Sequence, residues 1–78
     1  MEQKIKQDRD IEIGANIRTV RKKMNMGQTE LVRRLQLMGV DMTRETLVKI
    51  ERGVQHIRAS QLRAIKDTLK TTYDELLK

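Results

Sequence analysis

Cysteine, proline, phenylalanine and tryptophan are absent from this chain of 78 residues, and Tyr73 is its one aromatic side chain. Without cysteine there is no disulfide framework, no thiolate zinc site, no iron–sulfur cluster and no thiol nucleophile. A single histidine, His56, cannot build a multi-histidine metal cluster within one chain. One ring also denies the protein the stacking platforms with which proteins read single-stranded nucleic acid. No apolar run approaches the ~20 residues that span a bilayer. Residues 1–10 are polar and offer no stretch of signal-peptide length. These features predict a soluble, cytoplasmic protein with no membrane partner.

Catalysis is equally short of material. A chain of 78 residues makes one domain. Such a domain buries only roughly 60% of the surface its unfolded chain exposes and has no room for an enclosed substrate pocket. Ser60, the one serine, lacks a base, and no carboxylate pair sits in a credible cleft. The expectation is a protein that is not an enzyme, with no cofactor, no metal and no small-molecule substrate.

What the chain does have is charge. Seventeen Lys plus Arg stand against 11 Asp plus Glu, a formal net charge of +6. The excess is confined to two blocks: seven basic to four acidic in residues 1–27, and five to two in residues 43–63. Elsewhere the signs balance. A basic excess in two blocks suggests a polyanion-binding face, with ordinary solvated helix surface as the alternative. The shortage of aromatics makes duplex DNA the better polyanion.

Leu, Ile, Arg, Lys, Gln and Glu dominate, which favours helix over strand. Ile13, Ile17, Val20 and Met24 step by four, three and four, giving a first helix over about 10–24 that stops at Asn25-Met26-Gly27. Leu31, Val32, Leu35 and Met38 mark a second helix from Gln28 to near Gly39, a natural left-handed cap. Thr43 is the N-cap of a short third helix with Leu47 and Ile50 inward and Gly53 at its end. Leu62, Ile65 and Leu69 give a fourth helix over about 59–70. Thr72-Tyr73-Asp74-Glu75 is a capping-box sequence opening a final turn or two that buries Tyr73, Leu76 and Leu77. The expectation is an all-α fold of five helices in one domain over 10–78, with residues 1–9 a mobile basic arm or an extension of the first helix.

The third helix is unusual, because Leu47 and Ile50 anchor only one side and leave Arg44, Glu45, Val48 and Lys49 projecting away from the core. Four stretches then line up in order and spacing: Ile13-Gly14-Ala15-Asn16-Ile17 with Arg21; Gln28-Thr29-Glu30-Leu31-Val32; Leu47-Val48-Lys49-Ile50-Glu51-Arg52-Gly53; and Leu62, Ile65, Leu69, Leu76 and Leu77. Together they resemble the lambda-repressor-like, Cro-type helix-turn-helix family, from about residue 12 to the end. The resemblance implies a compact five-helix DNA-binding domain in which helices two and three form the motif and helix 43–52 enters the major groove. It implies base contacts from Arg44, Glu45 and Lys49, and phosphate contacts from Gln28, Thr43, Thr46, Arg52 and Arg58. Arg18, Lys22 and Lys23 are further candidates for the DNA backbone. It also implies that Arg21 pairs with Glu51, tying helix one to the end of helix three.

Side-chain chemistry supports the base-contacting trio independently. Arg and Lys donate to guanine O6 and N7, and a carboxylate accepts from cytosine N4. The competing role for Glu45 is an i,i+4 partner of Lys49, worth only about 0.2–0.5 kcal/mol.

The sequence departs from the family in two places. The step from Leu31 to Leu47 is sixteen residues where about eleven is usual, so residues 36–42 either lengthen helix two or enlarge the turn. Leu37, Met38, Val40 and Met42 in that insert are expected to thicken the core, with an exposed docking patch as the alternative. Where the family often has proline stands Ile57, and Val54 and Ile57 are expected to plug the core. Taken whole, the sequence points to a sequence-specific transcriptional regulator, a repressor that occupies an operator as a homodimer. The alternative is a protein-interaction module on the same fold, an antitoxin or adaptor with a protein partner.

Overall fold

The structure is a computed structural model that describes residues 4, 5 and 11–78. Its elements run β1 (Lys4–Ile5), α1 (Ile13–Lys23), α2 (Gln28–Leu37), α3 (Arg44–Glu51), β2 (Ile57–Arg58), α4 (Ala59–Thr68) and α5 (Tyr73–Leu77). The five helices stand in the expected order, within a few residues of their expected limits. Among the described residues no helix is long and apolar enough to cross a membrane.

The fold is mostly helical, as the all-α expectation has it, with a small two-strand sheet in addition. Lys4 and Ile5 are neither a helix extension nor a free arm but a strand paired antiparallel with β2, Ile5 opposite Ile57 and Lys4 opposite Arg58. Ile57 is fully buried and Ile5 packs half-buried against the same core, so apolar burial fixes the register. The remainder of the expected arm, residues 1–3 and 6–9, lies outside the described residues. Ile11 and Glu12 are not helical, and α1 begins only at Ile13.

One core serves every helix. Ile13 and Ile17 of α1, Leu31 and Leu35 of α2, Leu47 and Ile50 of α3, and Leu62 and Ile65 of α4 are all buried. Leu69 and Leu76 close it from the C-terminal side. Each such side chain contributes about 1.5–3 kcal/mol of transfer free energy. Asn16 ties α5 to α1 by donating its amide to the carbonyls of Leu76 (2.9 Å) and Lys78 (3.0 Å).

Outside the insert, three expected core residues lie elsewhere. Met24 is exposed because it caps α1 at the point where the chain turns away, and Arg21 takes the buried place on that face. Tyr73 starts α5 at the surface, its ring 4.9 Å from the Lys66 ammonium. Val54 is exposed because the left-handed turn at Gly53 carries the chain outward.

Four helices end in the same device. At Asn25, Gly39, Gly53 and Lys70 the backbone turns left-handed, and the next amide reaches back five residues, as in Val40 N to Leu35 O (3.0 Å) and Val54 N to Lys49 O (3.0 Å). These are Schellman closures, which satisfy carbonyls the helix leaves open. Gly39, at φ +82°, ends α2 and decides between the two readings of the insert. Residues 38–43 form an enlarged loop, not another helical turn. Met42 is buried under that loop and Val40 half-buried, whereas Leu37 and Met38 are 75% and 52% exposed. The insert thus thickens the core at one end only. Gln36 Nε2 holds the Met42 carbonyl (2.8 Å), and the buried Gln61 donates to the Asp41 carbonyl (3.0 Å) while accepting from Arg58 N (2.9 Å).

The start of α2 is capped less well. Its N-cap, Gly27, has an ordinary extended backbone (φ −76°) and no side chain to meet the first amides. Nothing lies within 4 Å of where a Cβ would sit. Gly27→Ser is expected to raise stability by about 0.5–1 kcal/mol, through the cap and a less flexible unfolded chain. A higher urea midpoint at unchanged m-value would register it.

Candidate nucleic-acid interface

α3 is held at both ends before any ligand arrives. At its start the Thr43 hydroxyl accepts from Thr46 N (3.1 Å) and donates to Thr46 Oγ1 (3.0 Å), which leaves the Thr46 hydroxyl proton as a spare donor. At its end the structure brings Arg21 and Glu51 together. Arg21 Nε donates to Glu51 Oε2 (2.8 Å) and Nη2 to Oε1 (2.9 Å), a bidentate pair with side chains 8% and 2% exposed. Arg21 Nη1 also holds the Met26 carbonyl (2.9 Å), and Gln28 Nε2 donates to Glu51 Oε1 (3.1 Å). One carboxylate therefore joins α1, the start of α2 and the end of α3.

The backbones of α1 and α3 also come unusually close. A Cβ on Gly14 would overlap the Ile50 carbonyl oxygen and stand 2.9 Å from its carbon and 3.0 Å from Glu51 Cα. Only a residue without a side chain permits this packing.

Docked in this way, α3 presents Arg44, Glu45, Lys49 and Arg52 to solvent, with Val48 half-buried. Lys49 Nζ lies 3.3 Å from Glu45 Oε1, so the i,i+4 pair is formed in the unbound protein. Both partners are largely exposed, and the pair is worth a few tenths of a kcal/mol. Gln28 is half-buried and already spends one amide hydrogen on Glu51.

Among the described residues Arg18, Arg44, Arg52 and Arg58 have no acidic partner in an ion pair, nor do Lys4, Lys22, Lys23, Arg63 and Lys70. On α2 the opposite holds: Glu30 takes both Arg33 (2.9 Å) and Arg34 (2.7 Å). Hydrogen bonds from Arg34 and then Arg33 hold the Glu30 carboxyl below its usual value. Its small contribution to stability is therefore present above the ordinary carboxylate range and lost as pH falls through the lowered value.

No family model, curated protein or solved structure matches the chain. The site thus rests on its own geometry.

Two open hollows adjoin α3. One, of about 360 Å³, is lined by Arg18, Gln28, Val48, Glu51 and Arg52, and so joins the start of α2 to the end of α3. The other, of about 220 Å³, is lined by Thr43 and Thr46 from the start of α3, by Asp41, Met42, Gln55, His56, Arg58 and Gln61, and by Lys4 from β1. Sequence-predicted residues thus fall into three groups: Arg44, Glu45 and Lys49 on the exposed side of α3, Gln28 and Arg52 in the first hollow, and Thr43, Thr46 and Arg58 in the second. Sequence reasoning missed Lys4 and Gln61. A strand of two residues has no readable period, and Gln61 is polar at a position buried by hydrogen bonding and not by hydrophobicity.

Proposed function

We propose that the protein is a sequence-specific duplex-DNA-binding regulator in which α2 and α3 act as a helix-turn-helix. The observation that carries this reading is α3 itself. It is eight residues long, anchored by Leu47, Ile50 and the Glu51 ion pair, with unpaired or weakly paired polar side chains along its solvent side and a hollow bearing basic side chains at either end. In the major groove Arg44 and Lys49 donate to guanine and Glu45 accepts from cytosine N4. Freeing Lys49 from Glu45 costs only a few tenths of a kcal/mol. Gln28, Arg52, Arg58, Thr43 and Thr46 fix the register on phosphates, with Arg18, Lys22 and Lys23 as further backbone contacts. A single small module makes a modest interface, so the working form is a homodimer on two half-sites about one helical turn apart, repressing by occupancy.

Selection from a random duplex library at near-physiological salt tests this directly. Enrichment of a two-fold symmetric motif is the expected result, and salt-sensitive binding to every duplex without enrichment refutes it. On the selected site Arg44→Ala should lose about 1–3 kcal/mol and relax one base position. Arg52→Ala should weaken specific and random duplexes alike and flatten the salt slope by about one. Equal losses on both duplexes from Arg44→Ala would remove its assigned role. The exposed Leu37 and Met38 favour a second reading, a module that docks a protein partner on the C-terminal end of α2. In that case Leu37→Ser abolishes partner capture and Arg44→Ala does not.

A further inference from the structure

The two-strand sheet contains an arrangement that folding alone does not explain. A ladder of two residues has two cross-strand positions. One, Ile5 opposite Ile57, faces the core; the other sets Lys4 directly opposite Arg58. Residues directly opposite in an antiparallel pair project from the same face, and like charges placed so are destabilising. Among the described residues neither cation has an acidic partner in an ion pair. Both line the 220 Å³ hollow, together with the His56 imidazole and the Thr46 hydroxyl. Among the described residues Asp41 is the one acid on its wall, against the two cations Lys4 and Arg58.

We infer that this hollow is a binding site for one phosphate group, clamped between Lys4 and Arg58 and closed by β1. An oxyanion between the two cations turns their repulsion into a pair of charge-assisted hydrogen bonds. The Thr46 hydroxyl and the His56 ring offer further donors. The hollow is smaller than the roughly 300–1,000 Å³ that whole organic ligands occupy, so it takes a phosphate and not the molecule that bears it. The same chemistry is offered by the backbone of duplex DNA and by a small phosphorylated compound. Its assignment to duplex phosphate rests on the DNA-binding reading above. Lys4 belongs to β1, so phosphate binding and strand pairing are linked: whatever fills the hollow holds β1 on β2, and losing β1 weakens the site by the same factor.

The test is a titration of the full chain with inorganic phosphate, followed by amide NMR at constant ionic strength against chloride. Saturable shifts confined to Lys4, Ile5, Thr43, Thr46, His56 and Arg58 are expected, with slower hydrogen exchange in β1 and β2 as phosphate rises. Lys4→Ala and Arg58→Ala should each weaken the phosphate affinity roughly fivefold, as one exposed charge contact would. Asp41→Asn should tighten it. Non-saturable shifts spread over every basic surface, or an affinity that Lys4→Ala leaves unchanged, would overturn the site. A second arm measures the salt dependence of duplex binding. A slope reduced by about one in Lys4→Ala puts a duplex phosphate in the hollow. An unchanged slope beside an intact phosphate titration supports the site with a small phosphorylated compound as its source. A chain that binds no duplex yet titrates with phosphate removes the DNA reading and keeps this one.

Discussion

Arg21→Ala should lower the stability of the fold by about 3–5 kcal/mol, the range observed when one partner of a buried ion pair is removed. The loss comes less from the missing attraction than from what remains. Glu51, its side chain 2% exposed, keeps only the single hydrogen bond from Gln28 to offset its desolvation. The Met26 carbonyl loses its Arg21 donor as well. A domain of this size has about 4–12 kcal/mol in total, so the variant is expected to be marginal. Arg21→Met combined with Glu51→Leu should recover most of the loss, because it removes both buried charges together. Urea unfolding of the two single variants and the double variant gives the coupling directly. Coupling near zero would mean that each group finds solvent on its own and that α3 is held by apolar packing alone.

Gly14→Ala is expected to be nearly as damaging, and its sign is diagnostic. In an ordinary helix interior alanine is more favourable than glycine by about 1 kcal/mol. Here the added methyl meets the backbone of Ile50 and Glu51, which cannot swing aside as a side chain would. Relief requires α1 and α3 to separate on the order of an ångström, which strains the Arg21–Glu51 geometry and opens the core along Ile13, Ile17 and Ile50. Overpacking of this kind costs about 1–3 kcal/mol and occasionally more, and here it must also outweigh the helix propensity of alanine. The expected net loss is about 2–3 kcal/mol in a thermal or urea melt. Any gain in stability would show that the two helices are not packed this closely in solution.

Sequence pattern and structure agree where burial follows helical period and part where it does not. Ile13, Ile17, Leu31, Leu35, Leu47, Ile50, Ile65 and Leu69 were all legible, because each recurs on one face of a helix and each is buried. Met24 was misleading for the reason Arg21 is informative. Period alone places an apolar residue inward and a charged one outward, and it has no access to Glu51 thirty positions away. Only the family resemblance suggested that pair. Gly39 was readable as a left-handed stop, yet Asn25 and Lys70 serve the same role without glycine. Lys4 and Ile5 gave no signal, since their partner Ile57–Arg58 is remote in sequence and two residues cannot show alternation. As a result, the outward side of α3 was accessible to sequence reasoning and the second hollow was accessible only in part.

The anchoring of α3 separates what the helix presents from what keeps it in place. Leu47, Ile50 and Glu51 carry the packing, while Arg44, Glu45 and Lys49 contribute nothing to the core beyond a weak surface pair. Exchanges at those three positions should change stability by no more than about 0.5 kcal/mol. Such a frame tolerates drift on its exposed side without a folding penalty. Under the proposed function, descendants of one such chain acquire different targets by a few substitutions at three exposed positions, each intermediate remaining folded.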